Sequence, residues 1–323
     1  MNYRRRRIKK KPVIILVCII ILITTITIFT VNTIKELNYR KTYEYKLIQV
    51  GYTKEDYKLF KEKANEDYMN YLLENEYDKM YIDILKEQYY IEDNLKEYIS
   101  YYENNIDTET NKIISLVNTG AYKEYYKDII ETDISKEYLM INNKYYKLPA
   151  NYTPDDLVTV KNWYSYGNNN KLRKEVYDKF LEMWESAKKD KITLIVNSAY
   201  RSEKEQKETY EEILSTNTQE YTDKKAARPG HSEHQTGLAL DIITYGANGE
   251  NFDKTDAFKW LQDNAHNYGF ILRYPKGKEY LTGYNYESWH YRYVGVEAAT
   301  IIHDENITFD EYYAYYVKNV SNS

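Results

Sequence analysis

The sequence predicts an α+β protein, in which a small antiparallel sheet with flanking helices follows a transmembrane helix and an α-helical region. Three observations lead to this class. Residues 13–31 form a long uncharged run, residues 40–130 carry helical spacing with few breakers, and beyond residue 138 short β-branched runs alternate with helical patterns. The predicted layout is a basic cytoplasmic tail over 1–12, a transmembrane helix over 13–31, a Tyr-rich helical stalk or domain over 32–137, an α+β domain over 138–310 and a C-terminal tail over 311–323.

The N-terminal run is long enough to cross a bilayer. Its 19 uncharged residues span roughly 28 Å at about 1.5 Å per residue, close to the thickness of the hydrocarbon core. Seven of the first eleven residues are basic, so this flank should stay in the cytoplasm and the rest should lie outside the cell. A cleaved signal peptide is the alternative, but the exit from the run, TVNTIKEL, lacks the small residues of a cleavage site. We therefore expect an uncleaved, single-pass membrane anchor.

The net charge bears on the possible binding partners, and the cysteine content bears on whether disulfides can stabilise the chain. The net charge is −5, and because the basic flank contributes +7, the rest of the chain carries about −12. We expect no nucleic-acid partner for this acidic body. Cys18 is the only cysteine, so no internal disulfide can form. A lipoprotein is the alternative reading of Cys18, but Val17 before it is not small, and a thiol buried in the membrane is the better interpretation.

The region over 40–130 is predicted to be helical. It contains no proline and only two glycines, Gly51 and Gly120. Apolar positions such as Leu95 and Ile99 recur at helical spacing, so one face can pack against a partner helix. We expect two to four helices here. The 40 tyrosines invite a carbohydrate-binding interpretation, but the paired tyrosines more simply indicate one buried and one exposed ring.

The composition of the sequence changes near residue 138. Pro149 and Pro154 indicate an extended segment with turns. A helix is predicted over 171–189 and a buried strand over 192–196, where β-branched residues dominate.

Arg201 follows this strand in the segment NSAYRSEKEQ. Ser202 and Glu205 form the pattern of a capping box, so a helix should begin just after Arg201. Arg201 is thereby fixed at a strand-to-helix junction, from which a guanidinium can reach into a cleft. A surface ion pair is the alternative interpretation.

Two later segments, GHSEHQTGLALDII at 230–243 and YESWHYRYVG at 286–295, carry the candidate chemistry. His234, Asp241 and His290 supply two imidazoles and one carboxylate, a common ligand set for catalytic zinc. Glu287 is a further carboxylate that can take a proton from a metal-bound water.

These residues can converge only if the chain bends. His234 and Asp241 are seven positions apart, which places them on opposite faces of a straight strand, and Gly237 is the residue that permits a bend. We place Glu287 in a loop and His290 on the strand WHYRYV.

The chain contains three other histidines. His231 is an alternative ligand to His234, whereas His266 and His303 lie in polar, helix-like contexts typical of the surface.

Three segments resemble a known family. SEHQTGLALD resembles the Ser-x-His-x-x-Gly-x-Ala-x-Asp motif of the VanY family of zinc D-alanyl-D-alanine carboxypeptidases, and ESWHYRYVG resembles its Glu-x-x-His motif. SAYRSEKEQ resembles the Tyr-Arg-Ser-x-x-x-Gln segment of that family. The resemblance covers roughly residues 138–305, and the order and spacing of the three motifs also match.

The resemblance implies a zinc peptidase domain and a role for seven residues: His234, Asp241 and His290 as zinc ligands, Glu287 as catalytic base, Arg201 at the oxyanion, and Gln206 and Ser232 on the substrate. It also implies removal of the terminal D-alanine from the stem peptides of peptidoglycan, which are the substrate that a protein anchored in the membrane and facing the cell wall would meet. An endopeptidase that cuts within the stem or cross-bridge is the alternative enzyme. A wall-binding protein with a structural zinc is the alternative from another class, and Glu287 argues against it.

Overall fold

The computed structural model describes residues 10–167, 169–249 and 251–318. The basic residues before position 10 and the last five residues of the predicted C-terminal tail therefore lie outside the described part of the chain. The chain divides into two compact units, Met1–Asp93 and Asn94–Ser323. Each unit is described by itself.

The first unit begins with a long apolar helix, α1 (Lys10–Tyr39), which contains the predicted transmembrane run. By length and composition the part over Lys11–Tyr39 could cross a membrane, and none of its apolar stretch is buried in protein. It is a candidate membrane span.

Four short helices complete the first unit: α2 (Tyr43–Val50), α3 (Lys54–Lys63), α4 (Glu66–Glu74) and α5 (Met80–Lys86). Their apolar faces meet around the fully buried side chains of Leu47, Phe60 and Leu72. Thr53 begins α3 through a capping box with Asp56.

The expectation of two to four helices over 40–130 was wrong. Six helices lie there, namely α2 to α5 and two in the second unit, α6 (Leu95–Asn104) and α7 (Thr110–Thr119). At Asn65, for example, a polar N-cap starts α4 without any proline or glycine to mark the boundary.

The described residues of the second unit form seven more α-helices: α8 (Lys174–Lys189), α9 (Glu203–Leu214), α10 (Gln219–Lys225), α11 (Asp256–Asn264), α12 (Glu279–Thr282), α13 (Val296–Asp304) and α14 (Phe309–Tyr312). Its strands are β1 (Ile130–Glu131), β2 (Tyr146–Lys147), β3 (Leu157–Thr159), β4 (Lys171–Arg173), β5 (Ile195–Ser198), β6 (Ala239–Ile243), β7 (Phe270–Leu272) and β8 (His290–Tyr293). Helix α8 starts three residues later than predicted because residues 171–173 pair with β3. The predicted strand over 192–196 is shifted toward residue 198.

A four-stranded antiparallel sheet in the order β5-β6-β8-β7 organises this unit. Leu240 and Ile242 of β6 point to one face, where they join a core that includes Val176, Phe180 and Met183 of α8. Asp241 lies on the opposite face, as strand alternation requires. The predicted α+β class, with a small antiparallel sheet and flanking helices, is confirmed.

The boundary between the two compact units lies at residues 93–94, whereas the predicted domain boundary lies at 137–138. Helix α7 belongs to the second unit, where the hydroxyl of Ser115 donates to Oε1 of Glu311 over 2.6 Å. Glu311 also forms a capping box with Thr308, which starts α14. Residues 311–317, predicted as part of a tail, are instead helical, and Tyr313 and Val317 are buried in the core.

Candidate metal centre

A tight turn carries His234 toward the sheet. The 3-10 turn Glu233–Thr236 ends at Gly237, whose φ of +66° lies in the left-handed region. A Cβ at Gly237 would also lie 3.0 Å from side-chain atoms of Arg173 and Leu157, so both conformation and space require glycine. The bend predicted at Gly237 is confirmed, and it brings Nε2 of His234 to 3.6 Å from Oδ1 of Asp241.

The pairing of β6 with β8 places His290 beside Asp241. Asp241 lies directly opposite His290 in the antiparallel register, and Nδ1 of His290 is 3.2 Å from the same Oδ1. The two imidazole rings are 4.9 Å apart and nearly perpendicular, at 86°. The three candidate ligand atoms lie within 4.8 Å of one another, and all three residues are buried.

This group fits a metal ion. Oδ1 of Asp241 is buried and has no hydrogen-bond partner among the described residues. Nδ1 of His234 lies 2.7 Å from the carbonyl oxygen of Ala199, so it carries the proton and leaves the Nε2 lone pair facing Asp241. Two imidazoles and one carboxylate with an open position are typical of catalytic zinc. Zinc, the predicted cofactor, is the metal that this group is suited to hold.

The protonation of the two imidazoles differs. Burial lowers the pKa of His234 to about 3, so this ring is neutral at physiological pH. Burial also disfavours the charged form of His290, but the neighbouring carboxylates of Asp241 and Glu233 raise its pKa to about 9 in the metal-free protein. A metal must therefore displace a proton from His290.

Glu287 lies beside the group in the loop before β8, as predicted. Its amide N–H donates to the carbonyl oxygen of Tyr274 over 3.1 Å, and its Oε2 is 3.8 Å from Nδ1 of His290. Burial raises the pKa of Glu287 to about 7, with His290 opposing the shift and Asp241 adding to it. A carboxylate with a pKa near neutrality can both accept and return a proton.

Arg201 is held at the junction between β5 and α9. Its Nη1 donates to Oε1 of Gln206 over 2.9 Å, and its Nη2 donates to Oγ of Ser198 over 3.3 Å. The amide of Gln206 in turn donates to the carbonyl oxygen of Ala227 over 2.7 Å. Both polar groups of Gln206 are thus engaged within the protein, and its contacts are those of a residue that orients Arg201.

The N-terminus of α9 is closed by its own side chains. The Ser202 hydroxyl accepts from the Glu205 amide, and the Glu205 carboxylate accepts from the Ser202 amide, as the predicted capping box requires. These backbone donors are therefore occupied by the protein itself.

All seven residues expected from the sequence line one cavity of about 220 Å³. The lining also includes residues outside this predicted set, among them Lys225, Glu233, Tyr274, Tyr284 and Trp289. Glu233 had a detectable signal, because it is a carboxylate between the motif residues Ser232 and His234, in a segment whose only other carboxylate is Asp241.

The remaining histidines lie outside this lining. Nδ1 of His231 is 2.8 Å from the carbonyl oxygen of Asn143, and its ring packs against the edge of Tyr126. His303 is exposed, as expected for a surface residue. His266 is only half-exposed and stacks on His303, with ring centroids 3.8 Å apart.

The small antiparallel sheet brings a metal-binding group, a carboxylate of near-neutral pKa and a fixed guanidinium to one cavity. These features define the second unit as a metallopeptidase domain. Comparison with known proteins agrees. Residues 169–296 match the VanY family model, described as D-alanyl-D-alanine carboxypeptidase. The chain belongs to the VanY family, as the three motifs indicated.

Individual relatives show the extent of the likeness. The chain is 44% identical over 177 residues to YodJ of Bacillus subtilis (strain 168), provisionally named a carboxypeptidase, and the match covers 53% of this chain and 64% of YodJ. It is 40% identical over 145 residues to a D-alanyl-D-alanine carboxypeptidase of Enterococcus faecium, a match that covers 45% of this chain and 44% of that protein. The chain thus spans less than two thirds of either curated relative.

A solved structure of the LdcB LD-carboxypeptidase is also similar. It has a TM-score of 0.55 and 40% sequence identity, and the match covers 59% of this chain and 92% of that one.

Proposed function

We propose that this protein is a membrane-anchored zinc D-alanyl-D-alanine carboxypeptidase, which removes the terminal D-alanine from peptidoglycan stem peptides outside the cell. The observation that carries the proposal is that all seven motif residues, drawn from three distant segments, line one cavity. His234, Asp241 and His290 would hold the zinc. When bound, zinc polarises a water molecule so that hydroxide becomes available near neutral pH.

Glu287 is the proposed general base. Its carboxylate accepts a proton from the attacking water and returns it to the nitrogen of the leaving D-alanine. Its pKa of about 7 suits both transfers, because the ideal catalytic pKa lies near the working pH.

Arg201 is the proposed oxyanion donor. Gln206 and Ser198 hold its guanidinium before the substrate arrives. A preorganised donor of this kind is typically worth about 3 kcal/mol in the transition state.

The terminal carboxylate of the substrate distinguishes a carboxypeptidase from an endopeptidase. Two cations of the lining, Arg201 and Lys225, attract an anion into the cavity, and the buried Ser232 adds a hydroxyl. An endopeptidase would leave these groups facing a neutral amide.

A second candidate function is that of an L,D-carboxypeptidase. The likeness to LdcB, over 92% of that chain, favours it. Both activities release one D-alanine from a free carboxyl end, and they differ in the chirality of the residue before the cleaved bond.

Mass spectrometry of defined muropeptides separates these functions. The purified full-length protein in detergent would be incubated with a pentapeptide ending in D-Ala-D-Ala, with the matching tetrapeptide, and with the pentapeptide amidated at its carboxyl end. We expect the pentapeptide alone to lose one alanine rapidly. Cleavage of the tetrapeptide instead would indicate the L,D activity, and equal cleavage of the amidated form would contradict a carboxypeptidase.

The candidate span α1 supports the location outside the cell. Protease added to intact protoplasts should degrade the body of the protein. A body that resists this treatment until the cells are lysed would contradict an outward orientation.

A further inference from the structure

Glu233 lies directly behind the candidate metal centre. Its side chain is entirely buried, and its Oε2 is 3.4 Å from Nε2 of His290. This is the ring nitrogen that faces away from Asp241, whereas Nδ1 faces toward it. Glu233 therefore approaches one candidate ligand from the side opposite to the metal.

Two buried arginines fix the orientation of Glu233. Its Oε1 accepts from Nε of Arg273 over 2.8 Å and from Nη1 of Arg292 over 2.9 Å. With Oε1 occupied by two cations, Oε2 is the oxygen turned toward His290. Because both guanidinium groups donate to this carboxylate, the oxygen facing His290 is an acceptor.

The arginines are themselves anchored. Nη1 of Arg273 donates to Oδ2 of Asp310 over 2.6 Å, and Nη2 of Arg292 donates to the carbonyl oxygens of Tyr138 and Met140 over 3.0 and 2.7 Å. Glu233 is thus held by groups that are rigid on their other side, and its carboxylate cannot rotate without breaking buried charge pairs.

We infer that Glu233 is a positioning residue for the metal centre, which accepts the Nε2 proton of His290 and so presents Nδ1 as the ligand atom. The inference rests on the proposed metal site. A ligand imidazole held in this way has one defined tautomer and ring orientation, and loss of such a partner typically costs 10- to 100-fold in metal affinity. The alternative is that Glu233 only stabilises the fold through its charge pairs with the two arginines. In that case its loss would change zinc affinity no more than the loss of folding stability explains.

Two matched variants test this inference in the full-length protein. Glu233→Gln and Asp310→Asn each remove one negative charge from the same buried cluster around Arg273, but of the two residues only Glu233 contacts His290. Zinc affinity is measured by competition with a chelator, and thermal unfolding is measured without metal. We expect Glu233→Gln to weaken zinc binding about 10- to 100-fold and Asp310→Asn to leave it within about threefold, even where both unfold at a lower temperature. Equal losses in the two variants, or no loss in Glu233→Gln, would overturn the inference.

A measurement on the unaltered protein keeps the test decisive if Glu233→Gln does not fold. In the zinc-loaded protein labelled with ¹⁵N-histidine, His290 should show a metal-bound Nδ1 and a slowly exchanging proton on Nε2. A metal-bound Nε2 would overturn this inference and leave the proposed function standing. A wild-type protein that binds no zinc at all would overturn both.

Discussion

Lowering the pH from 8 to 6 should weaken zinc binding to this protein about a hundredfold, because His290 must lose a proton before it can serve as a ligand. Asp241 and Glu233 raise the pKa of His290 to about 9 in the metal-free protein, against the effect of burial. Below that pKa each pH unit reduces the neutral fraction about tenfold, or about 1.4 kcal/mol in binding free energy. His234, with a pKa near 3, adds nothing in this range.

The assay is a competition titration against a chelator whose own protonation constants are known, repeated at half-unit steps between pH 6 and 8. The apparent zinc affinity should rise by about one decade per pH unit. An affinity that does not change across this range would refute the reasoning, since it would mean that His290 is already neutral in the metal-free state.

The proton on His290 that opposes zinc binding stabilises the folded, metal-free protein. The pKa of His290 is raised above its ordinary value of 6.5, so the stabilisation that it gives the metal-free protein is complete below about pH 6.5 and is lost as the pH rises through 9. The metal-free protein should therefore unfold at a lower temperature at pH 9 than at pH 6, whereas zinc should stabilise it most at the higher pH.

Three substitutions, the last paired with a control at His231, separate the roles of the site residues. Glu287→Gln should keep the zinc and the fold but lower kcat about 10²- to 10⁴-fold, because the amide preserves volume and cannot accept a proton; zinc content and kcat are measured together. Gln206→Leu should lower kcat about 10- to 100-fold with a smaller change in KM, because it removes the Oε1 acceptor of Arg201 while keeping a side chain of similar size. His234→Ala should abolish stoichiometric zinc binding, whereas His231→Ala should retain it, as metal analysis of the purified variants would show.

Each of these substitutions has a result that would contradict its premise. Near-normal turnover in zinc-loaded Glu287→Gln would assign the base to another group. An increase in KM alone for Gln206→Leu would indicate direct contact with the substrate. Full zinc content in His234→Ala would redirect the assignment of this ligand.

Local signals were enough to predict the bend, the helix start and which candidate ligands come together. The bend at Gly237 followed from the alternation of strand faces, and the capping pattern at Ser202 located the start of α9. Glu233 could not be assigned in the same way, because its partners Arg273 and Arg292 lie 40 and 59 positions away and no local pattern links them. The helices over 40–130 outnumber the prediction because boundaries such as the one capped by Asn65 contain neither glycine nor proline.

The register between β6 and β8 determines when a metal can first be bound. Asp241 and His290 meet only as cross-strand partners, and a slip of one residue would turn either side chain to the far face of the sheet. Nearly fifty residues separate these two ligands, so a chain that emerges from its N-terminus cannot assemble the group until β8 has been added to the sheet. Stable zinc binding therefore requires that the sheet is complete. A partly folded chain that has only His234 and Asp241 in place offers an incomplete site, from which competing chelators can remove the metal.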